Sequence, residues 1–445
     1  MPGLAPSRAL MGVQRFAAAR SAASAAAAPT ILEQAFLIVT ACAFGVDLFR
    51  MLGDPEGGGA RIAYVPFYIA ICAAIGLHWS VSLSNWRRLL PVALLILLPL
   101  CTVLWSVDPR ATTVRGLQLL GSSFFGIYLA ARFGLARSVR LLAVAYCIIG
   151  TLSVAAVFVW PHFATTDGIR SAWRGLYVHK NGLGAAAGAG LLLCWYTLGT
   201  TRGKSRLLLV AGIAMLALLL LGSRSATSML AVVAAGAAVL VGRIGSRFSR
   251  YAVAALFTVA AAVVIALAMA GITPADWLQA IGRDSSLTGR LPIWDLSWDA
   301  ILRRPWLGYG FDAFWANGSS ELARISEFLN YSPYYSHSGA LELLLNGGAI
   351  IALFVVAQVG ITVGKAARWM STAPGADASL PFAFAAYFVV MNISESKIWA
   401  PNDLVWAVWI MFATILATNS ARLRSATRQH ASREETQARA ESPQA

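Results

Sequence analysis

The sequence predicts an all-α, polytopic membrane protein of about twelve transmembrane helices with one long non-cytoplasmic loop. Three observations lead there. The chain of 445 residues is 58% hydrophobic and 12% charged, which no soluble globular domain resembles. Apolar runs of about 18 or more residues recur along most of its length, each long enough to cross a hydrocarbon core. Backbone groups in lipid must be satisfied within the segment, so these runs are helices. Finally, the basic residues gather in short clusters between the runs, as topology signals do.

The expected spans are 30–49, 62–79, 88–105, 113–131, 140–160, 181–200, 206–222, 225–242, 251–271, 338–363, 380–394 and 401–419. Residues 1–29, rich in Ala and Ser with Arg8, Arg15 and Arg20, read as a disordered cytoplasmic arm. Residues 30–271 hold the first nine helices, 272–337 the long loop and 338–419 the last three helices. Residues 420–445 mix Arg, Glu, Gln and Ser and read as a disordered cytoplasmic tail.

A cytoplasmic N-terminus puts the basic clusters on one side. They are Arg87–Arg88; Arg132, Arg137 and Arg140; Arg202, Lys204 and Arg206; Arg243, Arg247 and Arg250; and Lys365 with Arg368. That distribution accounts for most of the formal charge of +15 without nucleic acid. Cys42, Cys72, Cys101, Cys147 and Cys194 lie inside apolar runs with no CxxC pair, so they read as small core residues. No sequence repeat supports an inverted-repeat transporter.

In the long loop, Trp294, Trp298, Ile301 and Leu302 have the spacing of an amphipathic helix lying against the membrane face. The following "RRPWLGYGFDAFW" breaks at Pro305, Gly308 and Gly310.

The polar residues that topology does not require all fall on the non-cytoplasmic side. Arg224 stands in a short turn, "GSRSA", between two apolar spans, and its planar fork of donors suits phosphate oxygens. His337 begins a helix whose Ser338, Glu342 and Asn346 make one polar face inside the membrane. Its imidazole exchanges protons near neutral pH. "RGLYVHKNGLG" at 174–184 packs Arg174, His179 and Lys180 together, with Arg170 just upstream. Gly184 and Gly188 in and after that stretch allow close helix approach. Arg290 precedes the amphipathic helix; for Glu395 and Lys397 in "NISESKIWAPND", mutual pairing accounts for both. Several Arg, two His and a buried Glu on one face make a phosphate or polyanion site. No metal-ligand spacing, P-loop, GxSxG or dinucleotide fingerprint occurs, so neither metal nor other cofactor is expected.

In order along the chain, "WSVDPRATTVRG", "RGLYVHKNGLG", "GSRSA", "TGRLPIWDLSWDAILRRPWLGYGFDAF", "HSGALELLLNGG" and "NISESKIWAPNDLVW" together resemble the O-antigen ligase and polysaccharide polymerase superfamily, in its exopolysaccharide-production, Wzy-like branch. The resemblance implies a metal-independent glycosyltransferase of the bacterial inner membrane, with both termini cytoplasmic and the active site facing the periplasm. It implies transfer of a glycan from an undecaprenyl-diphosphate carrier to an acceptor hydroxyl. It also maps catalytic roles onto Arg224, Arg290 and His337, and makes a chain-length regulator and a flippase expected partners besides the bilayer. Beside it, Arg174, His179, Lys180, Glu342 and Arg170 read as substrate-binding residues. Polymerase is the preferred activity and O-antigen ligase the alternative. A lipid-linked sugar flippase fits less well, since it would need polar residues through both leaflets.

Overall fold

The computed structural model describes residues 29–46, 62–78, 86–166, 171–248, 290–316, 318–372 and 378–419. Among these the chain is helical, with one isolated bridge between Thr165 and Trp173. The helices are α1 (Ile31–Phe44), α2 (Val65–Leu77), α3 (Trp86–Cys101), α4 (Pro109–Tyr128), α5 (Gly134–Val159), α6 (Pro161–Ala164) and α7 (Lys180–Leu198). They continue as α8 (Lys204–Ser223), α9 (Ala226–Phe248), α10 (Arg290–Arg303), α11 (Ser320–Leu329), α12 (Gly339–Thr372), α13 (Leu380–Ser394) and α14 (Leu404–Thr418). Every expected span falls on one of these helices, except 251–271. That span lies outside the described residues, as do the arm, apart from residue 29, and the tail. Four described stretches are long and apolar enough to cross a membrane: Arg87–Leu104, Pro109–Val159, Lys204–Ser223 and Gly339–Ser371.

α14 forms the centre. Residues Leu404–Ala417 are buried all the way round, as expected of a helix without a polar stripe. Asp403 caps it, accepting from the Val405 and Trp406 N–H groups at 2.7 and 3.1 Å. Its Trp409 stacks on Phe388 of α13 with ring centroids 4.4 Å apart. The indole of Trp406 donates to Ser123 Oγ of α4 at 2.9 Å. Gly184 and Gly188 do bring α7 close to its neighbours. A Cβ added at Gly184 would stand 2.7 Å from both Ser225 Cβ and Ser228 Oγ; one at Gly188 would stand 2.9 Å from the Tyr387 ring.

The long helix α12 is broken at Gly348, where φ is 65° and ψ −173°. A break inside a membrane helix leaves backbone groups that hydrocarbon cannot satisfy. Here the segment 305–310 fills it. Ala349 and Ile350 donate to the carbonyls of Pro305 and Trp306 at 2.7 and 3.4 Å. The carbonyls of Leu345 and Asn346 accept from Tyr309 and Gly310 at 2.7 and 3.1 Å. The breaking residues of "RRPWLGYG" are thus a wedge, not a slack connection. The same segment is clasped from the far side by the 102–112 stretch: Val107 N–H meets Tyr309 O at 2.9 Å, and Phe311 N–H meets Thr102 Oγ1 at 2.8 Å.

The helix expected in the long loop is present as α10, and it also has a face that meets protein. Ile293, Ser297, Ala300 and Ile301 face inward against α12 and α11, while Trp298 and Leu302 are exposed. Trp294 lies between the two faces and spends its N–H on Ser336 O at 2.8 Å. Side-chain size alone does not tell which apolar side of a helix meets protein.

Gly348→Ala tests the wedge. The required backbone is nearly exclusive to glycine, and an added Cβ would stand 2.2 Å from the Trp306 carbonyl carbon. The variant is expected to lose about 2 kcal/mol or more of stability, read as a lower melting temperature of the purified protein in detergent. An unchanged melting temperature would show that the wedge is not needed.

Candidate functional site

Helix α9 begins, α13 ends, and α7 and α12 begin at one end of the bundle, and their polar termini converge there. The centre of this end is Glu395, the residue after α13, which is 3% exposed. A carboxylate so buried requires partners. Its Oε1 accepts from Arg290 Nη2 at 2.7 Å and from Asn181 Nδ2 at 2.7 Å. His337 Nδ1 lies 3.8 Å from the same oxygen. The Arg290 guanidinium also donates to Ser394 O at 2.5 Å. Burial alone would raise the Glu395 pKa; His337, Arg290 and Lys397 outweigh it and hold the group below its ordinary value. Lys397 bonds Asp403 Oδ2 at 2.6 Å, so mutual pairing with Glu395 does not account for either residue.

His337 sits in the left-handed region with φ of 58°. Its Nδ1 is buried without a hydrogen-bond partner in the structure, while the side chain is 23% exposed. The Nε2 edge is therefore the one that opens outward. Tyr335 covers one side of the ring with centroids 4.1 Å apart, and His179 approaches both rings at 6.5 Å.

Arg224 is the left-handed C-cap of α8 and is exposed. One turn on, Thr227 Oγ1 meets Ser394 Oγ at 2.5 Å, which ties the Arg224 turn to the residue beside Glu395. His179 stands at the N-cap position of α7, where its side chain makes no capping bond, and Lys180 is the first residue of the helix. Arg174 bonds the carbonyls of Phe163 at 2.7 Å and His162 at 3.4 Å, so it closes the end of α6. Arg170 lies outside the described residues. Ser338, Glu342 and Asn346 are buried on one face of α12, as their spacing implied. The carboxylate of Glu342, however, accepts from Ser336 N–H at 2.6 Å and from Trp315 Nε1 at 3.0 and 3.2 Å.

Sequence reasoning did not rank Glu395 or Asn181 as site residues. The available signal was an acidic side chain beside an apolar span with Lys397 two residues away, which reads as a local pair. A second polar contact, Arg115 Nε to Asp312 Oδ2 at 2.8 Å, joins the start of α4 to the wedge. Among the described residues no three His, Cys, Asp or Glu side chains are grouped so as to hold a metal ion.

Parts of the sequence are similar to known proteins. The O-antigen ligase family (Wzy_C) matches residues 209–356, a range that includes Arg224, Arg290, His337 and Glu342. The chain is also 27% identical over 377 residues to the exopolysaccharide production protein ExoQ of Rhizobium meliloti (strain 1021). That match covers 81% of this chain and 85% of the relative. The chain is therefore similar to the O-antigen ligase and Wzy-like superfamily. These likenesses support a membrane protein of the polysaccharide ligase or polymerase kind.

The Glu395 pair supplies a pH test. A carboxylate titrating below its unfolded value of 4.5 adds stability that is full above that pH and is lost as pH falls through the folded value. The melting temperature is expected to stay level from neutral pH down to about 4.5 and to drop below it. Glu395→Gln leaves the buried Arg290 charge uncompensated, so it is expected to cost about 3 kcal/mol at neutral pH and to flatten the acid limb. Equal acid limbs in both proteins would remove Glu395 from this role.

Proposed function

We propose that the chain is an inner-membrane glycosyltransferase that moves a glycan from an undecaprenyl-diphosphate carrier to an acceptor hydroxyl at the periplasmic face, polymerising exopolysaccharide repeat units. The observation that carries this reading is the convergence of Arg290, His337 and Asn181 on the buried Glu395. Such a group joins a cation, a proton acceptor and a buried anion at one end of a membrane bundle.

In this reading His337 takes the proton of the acceptor hydroxyl through Nε2. The oxygen then forms its bond to the sugar's anomeric carbon as the bond from that carbon to the diphosphate breaks. The electron pair leaves with the undecaprenyl diphosphate. Arg290 has five N–H donors, and the bonds to Ser394 and Glu395 use two of them. The others, with Arg224, stabilise the charge that grows on the leaving diphosphate. Glu395 fixes the Arg290 fork and favours the protonated His337 that forms during attack. His179, Lys180 and Arg174 line the glycan side. The termini are cytoplasmic, and a flippase and a chain-length regulator act beside the chain.

A second reading is favoured by the name of the matching family: transfer of the finished glycan to lipid A core or to protein, as an O-antigen ligase. The two differ in what a deletion strain accumulates. A single carrier-linked repeat supports the polymerase; long carrier-linked chains support the ligase.

Arg290→Ala and His337→Ala, made at normal levels in a deletion strain, are each expected to lower polymer output about 100-fold or more. Arg290→Lys is expected not to restore it, because one ammonium cannot reproduce the guanidinium fork. Full-length polymer from either alanine variant would refute the assignment.

A further inference from the structure

We infer that Trp294 and Glu342 are positioning residues of the reaction, which set the His337 imidazole by gripping the peptide groups of Ser336. The inference rests on the role proposed above for His337.

His337 has a left-handed backbone, φ of 58°, which is uncommon for a residue other than glycine. The two peptide planes beside it set the direction in which its Cα–Cβ bond leaves the backbone, and the Tyr335 ring, with centroids 4.1 Å away, lies against the imidazole that follows. The plane between Ser336 and His337 is held at its oxygen, where Trp294 Nε1 donates to Ser336 O at 2.8 Å. The plane between His337 and Ser338 is held at its nitrogen, where Ser338 N–H donates to Ser336 Oγ at 3.3 Å. The preceding plane is held by Ser336 N–H donating to Glu342 Oε1 at 2.6 Å. Ser336 is 0% exposed, so water does not compete for these groups.

Glu342 is fixed in turn. Trp315 Nε1 reaches both its oxygens at 3.0 and 3.2 Å. The carboxylate is 6% exposed, and the partners it meets are Ser336 and Trp315. Its cost of burial is explained by the loop it organises.

Trp294 adds a second consequence. It lies one turn after Arg290 on α10, and Arg290 bonds Glu395 and Ser394. One rigid helix therefore sets the leaving-group cation and the base at once. If α10 tilts, both the Arg290 pair and the Ser336 grip loosen together. A misplacement of about 1 Å at a reacting group lowers rate about 100-fold, so the grip bears on turnover more than on substrate affinity.

The test uses the full chain purified in detergent, with the lipid-diphosphate-linked repeat unit extracted from a strain lacking this protein as donor. Trp294→Phe keeps the ring and removes the N–H. It is expected to lower kcat about tenfold with KM changed less than about twofold. Glu342→Ala is expected to lower kcat at least as much, and Glu342→Gln, whose carbonyl oxygen still accepts from Ser336, to restore most of it. Melting temperatures measured on the same preparations separate loss of fold from loss of position, and the half-buried Trp294 provides the milder variant. An unchanged kcat in Trp294→Phe, a loss confined to KM, or a Glu342→Gln no better than Glu342→Ala overturns the inference. His337→Ala, run alongside, separates the two layers. If it retains full activity, the role of His337 fails first; if it is inactive while Trp294→Phe and Glu342→Ala turn over normally, the positioning claim alone fails.

Discussion

A carboxylate buried at the end of a membrane helix is tolerated only if other groups converge on it, and Glu395 is the convergence point of this fold. Arg290 comes from α10, Asn181 from α7 and His337 from the start of α12, three elements far apart in sequence. The Thr227 hydroxyl, from α9, reaches the adjacent Ser394. Removing the charge from water would be costly without these partners, and each partner in turn would be costly to leave alone. The result is a polar cap whose members specify one another's positions.

The cap depends on a second device, the wedge at Gly348. A continuous α12 would carry its start, and with it His337 and Glu342, along one straight axis. The break turns that first segment and makes it answerable to the 305–310 strand of backbone, which supplies the missing hydrogen bonds. Glycine permits the break; the wedge makes it stable. The region between α10 and α12 is thereby the framework on which the His337 loop is hung. The clasp to residues 102–112 joins that framework to the start of α4.

At the opposite end the structure holds a different ion pair. Arg132 bonds Glu33 at 2.9 Å, and Tyr128 donates to the same carboxylate. It joins α1 to the end of α4, where five residues, Leu129–Phe133, form a π turn before α5. That arrangement fastens helices without drawing in residues of the candidate site, so the two ends of the bundle carry polar groups for different reasons.

Much of this protein is legible in its sequence. Helical class and helix positions follow from apolar runs, because a backbone in lipid has no other way to satisfy itself. Gly184 and Gly188 announce close packing, and Ser338, Glu342 and Asn346 announce a buried polar face, because helical periodicity is local. Arg224, Arg290 and His337 stand out because polar residues are rare among apolar spans. Which groups pair is a different matter. Glu395 bonds Arg290, 105 positions away, while Lys397 bonds Asp403, and Glu342 accepts from the Ser336 N–H. Trp294 donates to a peptide oxygen 42 positions away. Sequence alone determines what must be helical and which residues stand out as polar among apolar runs, since those depend on composition and period. The tertiary structure alone decides the partner of each buried polar atom, since that depends on which helix ends meet.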